Sequence, residues 1–178
     1  MLYTKEYQKS IKFSKNILHP DEFSARAHIS QAAGLGLGDA QLHLGKAHRN
    51  AKNKLSLPVD NLMALHYAFL ASVHGQPEGH LIVSELMWSG QSGANGWPVN
   101  ERMAVTFARM SANDGHKPSY IQLGNFYEVG VGVQANYQQA KAWYLKAAAT
   151  GDQKAIERLD GLRDKRSLKA FTNKKKTT

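Results

Sequence analysis

Asn136-Tyr137-Gln138-Gln139-Ala140-Lys141-Ala142-Trp143-Tyr144-Leu145-Lys146-Ala147-Ala148-Ala149-Thr150-Gly151 carries the pattern that decides the fold. A polar residue opens it. A small residue follows four on, a ring seven on, small residues eleven and twelve on, and a glycine fifteen on. The ladder recurs upstream as Asp21–Ala25–His28–Ala32–Ala33–Gly36, Asp60–Ala64–Tyr67–Ala71–Ser72–Gly75 and Asn100–Ala104–Phe107–Ser111–Ala112–Gly115. Starts at 21, 60, 100 and 136 are 39, 40 and 36 residues apart. A near-fixed period of this size is the mark of stacked repeat units, so the chain reads as a solenoid.

Offsets 4, 7, 11 and 15 follow the helical period and share one face. The opening Asp or Asn suits an N-cap, and Gln139 stands at the capping-box position of the last copy. The glycine suits the left-handed residue that ends a helix. Each ladder is therefore one short helix, called helix B, whose small residues allow close approach and whose ring fills the gap.

A second helix, A, precedes each of the last three helices B. Its clearest copy places Ser119, Leu123 and Tyr127 on one face with Gly124 beside it. Ala40, Leu44, Gly45 and His48 hold those places in the first copy, and Gly79, Val83, Ser84 and Met87 in the second. A turn follows each helix A and ends in an apolar anchor: Leu57, Trp97 and Val133.

The stretch Leu123-Gly124-Asn125-Phe126-Tyr127-Glu128-Val129-Gly130-Val131-Gly132-Val133, followed by Ala140-Lys141-Ala142-Trp143-Tyr144-Leu145-Lys146-Ala147-Ala148, resembles a Sel1-like repeat, a relative of the tetratricopeptide repeat. The resemblance runs over residues 20 to 162 and is specific from Pro118 to Gly151. It implies an all-α right-handed superhelix of about three helix-turn-helix repeats with terminal capping helices. Unit one departs from the family's turn with Ala51-Lys52-Asn53-Lys54-Leu55-Ser56-Leu57. Unit two stretches its turn, Gly90 to Pro98, by four residues. The expected organisation is a capping helix over 1–20, a solenoid over 21–162 and a basic extension over 163–178.

The net charge of +9 suggests nucleic acid until it is located. Residues 1–16 carry +3 and residues 163–178 carry +6, while the body, 17–162, has 12 basic and 12 acidic residues. Basicity thus belongs to the ends, where Lys174–Lys176 read as a solvated tail. Tyr3, Tyr7, Ile11 and Leu18 form an apolar stripe suited to covering the open end of the first helix B. Leu168 and Phe171 suit the other end. Lys5, Lys9, Lys12 and Lys15 interrupt residues 1–20, which lack the apolar core of a secretory leader. A cytoplasmic location is expected, or a periplasmic one had a leader been removed. Cysteine is absent, which excludes a disulfide framework.

None of the eight histidines forms HxxxH or HExxH, so no metal is expected, and no cofactor either. Gly34-Leu35-Gly36-Leu37-Gly38 and Gly130-Val131-Gly132 follow no strand and lack the P-loop Lys-Ser/Thr ending; they read as turn glycines. No Gly-x-Ser-x-Gly elbow or Ser-x-x-Lys motif stands at a helix start.

Resemblance implies that helices A line the concave side. Residues there that turn away from helix B are the candidate partner surface: Leu42, Lys46 and Arg49; Ile82, Glu85 and Trp88; Ile121, Asn125 and Glu128. Trp88 beside Arg49 and Glu85 has the make-up of an interface hot spot, and Trp97 on the long turn is a second contact candidate. The expected function is a non-catalytic adaptor for a protein partner. The resemblance suggests a bacterial signalling, envelope or effector-neutralising role. The alternatives are a β-lactam-directed or other hydrolase, and a nucleic-acid binder working through its tails.

Overall fold

The computed structural model describes residue 5 and residues 22–91 and 96–162. Among these the chain is helical: α1 (Glu22–Gly34), α2 (Gly38–Arg49), α3 (Asn61–Val73), α4 (Pro77–Ser89), α5 (Glu101–Asn113), α6 (Lys117–Val129) and α7 (Tyr137–Ala148), followed by helical residues 153–162. Consecutive helices pack on one another throughout, the arrangement of an all-α solenoid. Helices α1, α3, α5 and α7 are the helices B; α2, α4 and α6 are the helices A. The proposed N-terminal capping helix (Lys5 apart), Asp21, the Leu168–Phe171 closure and the basic extension lie outside the described residues.

The ladder's caps form as the residue types require. Asp60 accepts from the backbone N–H groups of Leu62 and Met63, Asn100 from Met103, and Asn136 from Gln138 and Gln139. Each glycine past the helix adopts positive φ: 83° at Gly36, 79° at Gly75, 81° at Gly115 and 86° at Gly151. The residue after each glycine donates its N–H to the offset-11 carbonyl, as Gln76 does to Ala71 at 3.0 Å. This closes a Schellman-type end.

A further bond recurs in every unit. The cap's own N–H reaches back to the last turn of the preceding helix A: Asp60 to His48 O at 2.9 Å, Asn100 to Met87 O at 2.8 Å, Asn136 to Tyr127 O at 2.7 Å. The capping-box expectation at Gln139 is corrected on this ground, because the N–H such a box would satisfy is already donated to Tyr127.

Buried positions sharpen the ladder. Small residues at offsets 4 and 11 are sealed: Ala25, Ala64, Ala104 and Ala140, then Ala32, Ala71, Ser111 and Ala147. The offset-7 rings are only half-buried. Offset 8 is the sealed one instead, with Ile29, Ala68, Ala108 and Tyr144 all at 0–1% exposure. Helix A answers these with glycine. A Cβ on Gly79 would sit 2.7 Å from Ala68 O and 2.8 Å from Ser72 N, and one on Gly124 would overlap the Tyr144 ring. Glycine there is a condition of interhelical contact.

The turns after helices A differ in how they are held. Asn53 organises the first: its amide donates to Asn50 O and Leu57 O, and its carbonyl accepts from Leu55 and Leu57 N–H. Leu55 and Leu57 are buried beneath it. In the third, Gly130 is left-handed, and Gly132 passes so close to the backbone of Glu101 that no side chain fits.

Candidate functional site

The surface of interest is the side of helices A turned away from helices B. Helix α2 ends its face in Lys46 and Arg49, and α4 answers with Glu78 and Glu85. Lys46 Nζ lies 2.8 Å from Glu78 Oε1, and Arg49 Nη1 lies 2.7 Å from Glu85 Oε2. All four side chains are roughly a third to a half exposed, so the pairs add little to stability and mainly order the face. Trp88 follows Glu85 by one turn. It is 47% exposed and meets the Phe126 ring of α6 edge-on, with centroids 5.6 Å apart.

Half-buried Leu42 rests on the core between the units. Beside it, Leu42, His43 and Lys46 of α2 and Lys52 and Lys54 of the turn line an open cleft of ≈ 550 Å³. Burial, reinforced by the Lys46 charge, holds the His43 pKa below the ordinary histidine value. His116, just before α6, is held low by burial too, with Glu78 and Glu85 opposing and Lys46 adding.

Several assigned residues do not reach this surface. Ile82 is 3% exposed; α4 packs against α2, α3 and α5, and that enclosure puts Ile82 in the core, which corrects its placement on the face. Ile121 is half-buried against the cluster of Ala140, Tyr144 and Leu162. Asn125 and Glu128 turn toward Tyr144: its Oη lies 2.7 Å from the Asn125 amide and 2.8 Å from Glu128 Oε2. The phenol's one proton has two acceptors in reach, Asn125 Oδ1 and Glu128 Oε2, and the carboxylate is the stronger. Burial, then the Glu128 bond and charge, push the Tyr144 pKa well above the ordinary phenol value. Trp97 is likewise corrected as a loop contact. Its indole N–H donates to Leu86 O at 3.0 Å and its ring packs on the core, so it clamps the long turn.

Sequence reasoning missed His43, Glu78 and His116. Glu78 could have been found from its offset, since it sits one position before the small residue that opens helix A. The histidines carry no such signal.

One Ser-His cluster invites a catalytic reading. Ser111 Oγ donates to Pro77 O at 2.6 Å, Ser119 Oγ donates to Ser111 Oγ at 2.6 Å, and His116 Nδ1 lies 3.0 Å from Ser119 Oγ. Both hydroxyl protons are committed away from the imidazole, so His116 Nδ1 must be the donor. A general base needs the reverse direction. Both serines are also fully buried. The cluster pins α4, α5 and α6 together. Among the described residues no three of His, Asp and Glu gather as a metal would require, and no helix is long and apolar enough to cross a membrane.

The family profile described as Sel1 repeat matches residues 38–72 and 117–152, which are α2 with most of α3 and α6 with α7. Chitin synthase regulatory factor 4 of Schizosaccharomyces pombe is 33% identical over 82% of this chain and 22% of its own length. The chitin synthase regulator SKT5 of Saccharomyces cerevisiae is 29% identical over 81% of this chain and 20% of its own. The chain thus spans about a fifth of the length of these curated relatives. A protective antigen of uropathogenic Escherichia coli displaying an SLR fold superposes with a TM-score of 0.79 at 23% identity, covering 88% of this chain and 32% of that one.

Proposed function

We propose that this chain, which carries two matches to the Sel1 repeat, is a non-catalytic interaction module that holds a protein partner on its helix-A face. The observation that carries the reading is Trp88. A large aromatic ring is left half-exposed beside the Arg49–Glu85 pair, braced edge-on by Phe126. A braced aromatic next to an ordered charge pair has the composition of a binding hot spot. Relatives named as regulators agree with a role in controlling another protein. They are fungal, whereas the E. coli antigen is bacterial. A bacterial signalling, envelope or effector-neutralising role is one branch of the reading, and regulation of a synthase, as those relatives are named for, is the other.

The test is quantitative capture of partners from the native host by the purified full chain, followed by binding measurements on the captured protein. Trp88→Ala is expected to weaken binding roughly 30-fold or more, the usual cost of a hot-spot tryptophan. Arg49→Ala is expected to weaken it less and to change its salt dependence. Unchanged binding in both variants would show that the helix-A face is not the docking surface.

A further inference from the structure

The opposite side of the solenoid carries a second surface. Helix α3, Asn61–Val73, contains no charged residue although one of its faces is open to solvent. Leu62, Phe69 and Val73 on that face are 52%, 48% and 64% exposed. Next to it on α5, Met103 and Met110 are 42% and 43% exposed. Phe69 and Phe107 meet across the two helices, edge to face, with centroids 6.4 Å apart. Leu62, Phe69 and Val73 are spaced by seven and four residues, and Met103, Phe107 and Met110 by four and three. Two apolar stripes therefore face each other along a groove between neighbouring helices B.

The repeat supplies its own control. The same offsets in the next groove, between α5 and α7, bring Arg102 and Arg109 opposite Trp143 and Lys146. Arg109 Nη2 donates to Tyr127 Oη at 2.8 Å, and Lys146 Nζ stands 4.2 Å over the Trp143 ring. Stacking does not need apolar residues at these offsets, since the second groove manages with cations. The α3–α5 groove departs from its α5–α7 neighbour in this respect, and it borders a basic one.

We infer that the α3–α5 groove docks an amphipathic helix whose apolar ridge lies on Leu62, Phe69, Val73 and the two methionines, and whose acidic flank reaches Arg102 and Arg109. Helix-in-groove recognition uses anchors at this spacing, and methionine suits a surface that adapts to a partner's ridge. The basic border selects the sign of the flank. This site is separate from the helix-A face and does not depend on it.

The probe is a fluorescein-labelled peptide of about 18 residues, with leucines on one face and glutamates on one flank, titrated into the full chain. Comparison peptides carry lysines on the flank, or the same composition in scrambled order. The acidic amphipathic peptide is expected to bind at least tenfold more tightly than either, with affinity falling as salt rises. Val73→Asp and Met110→Asp, both at exposed positions, should each remove about tenfold or more of that affinity, while Trp88→Ala leaves it unchanged. Equal binding of all three peptides overturns the inference. So does concentration-dependent dimerisation abolished by Val73→Asp, which assigns the groove to a second copy. Binding to anionic phosphatidylglycerol vesicles without peptide discrimination assigns it to a lipid surface and overturns it equally.

Discussion

Replacing Gly79 by alanine tests the packing logic of the solenoid at its tightest backbone contact. The added methyl would stand 2.7 Å from Ala68 O and 2.8 Å from Ser72 N, both backbone atoms of α3. Ordinary carbon contacts begin near 3.5 Å, so α4 must retreat by about 0.7 Å. Neither neighbour is a side chain that can rotate aside. The retreat loosens Val83 and Ser84 lower on the same face, both fully buried. With backbone atoms on both sides, the cost lies in the upper part of the usual overpacking range, about 2–3 kcal/mol. Alanine's better helix propensity returns about 1 kcal/mol at most. A net loss of about 1–2 kcal/mol at this chain length lowers Tm by roughly 2–8 °C. Gly34→Ala is the matched control, because its methyl meets nothing within 4 Å and should raise Tm by a degree or more. Gly45→Ala, with Ala68 N at 3.1 Å, should fall between. Calorimetry on the three variants reads the order directly. A Gly79→Ala protein as stable as the parent, beside a stabilised Gly34→Ala, would refute the claim that helix A glycines set the interhelical distance.

Three further outcomes follow from single contacts. Tyr144→Phe strips the phenol proton from a carboxylate whose side chain is 8% exposed, and should cost about 1–3 kcal/mol in denaturant unfolding; adding Glu128→Gln should recover part of it. Burial holds His43, His80 and His116 below the ordinary histidine pKa, so they favour the neutral form in the folded state. The stability they contribute is complete above the ordinary histidine pKa of about 6.5 and is lost as pH falls below it. Urea midpoints should therefore drop from neutral to about pH 5. His80→Tyr, which copies Tyr120 of the next unit, should flatten that slope. Asn136→Ala removes the acceptor for the Gln138 and Gln139 N–H groups and should cost about 1 kcal/mol by chemical denaturation, while Asn136→Ser should cost little.

The stacking frame was legible because its chemistry is local. A cap, a period of small residues and a terminal glycine all report on one helix at a time, and they landed where the spacing put them. Offset 8 escaped because its residue type is set by a partner elsewhere in the chain. Tyr144 is admitted by Gly124, whereas Ala68 gives way to Gly45 and Gly79. No pattern within one helix reveals such exchanges of volume. The exposure of Lys46, Arg49, Glu85 and Trp88 on helices A was legible, because their side chains have no core to enter. Ile82 was misplaced because periodicity cannot say that α4 is enclosed on three sides. Asn125 and Glu128 look like surface residues until a tyrosine nineteen and sixteen positions away is folded against them.

The backbone bond from each cap to the end of its helix A bears on how such a chain changes over generations. Helix A starts at 38, 77 and 117 and helical residue 153 all lie 17 positions after the residue that opens the preceding ladder, at 21, 60, 100 and 136. From helix A start to the next cap the distances are 22, 23 and 19. All the irregularity of the period therefore falls in the segment that the bond brackets. Insertions and deletions there leave both helix ends fastened, so these turns are where lineages can diverge in length and where a foreign epitope could be grafted without disturbing the array.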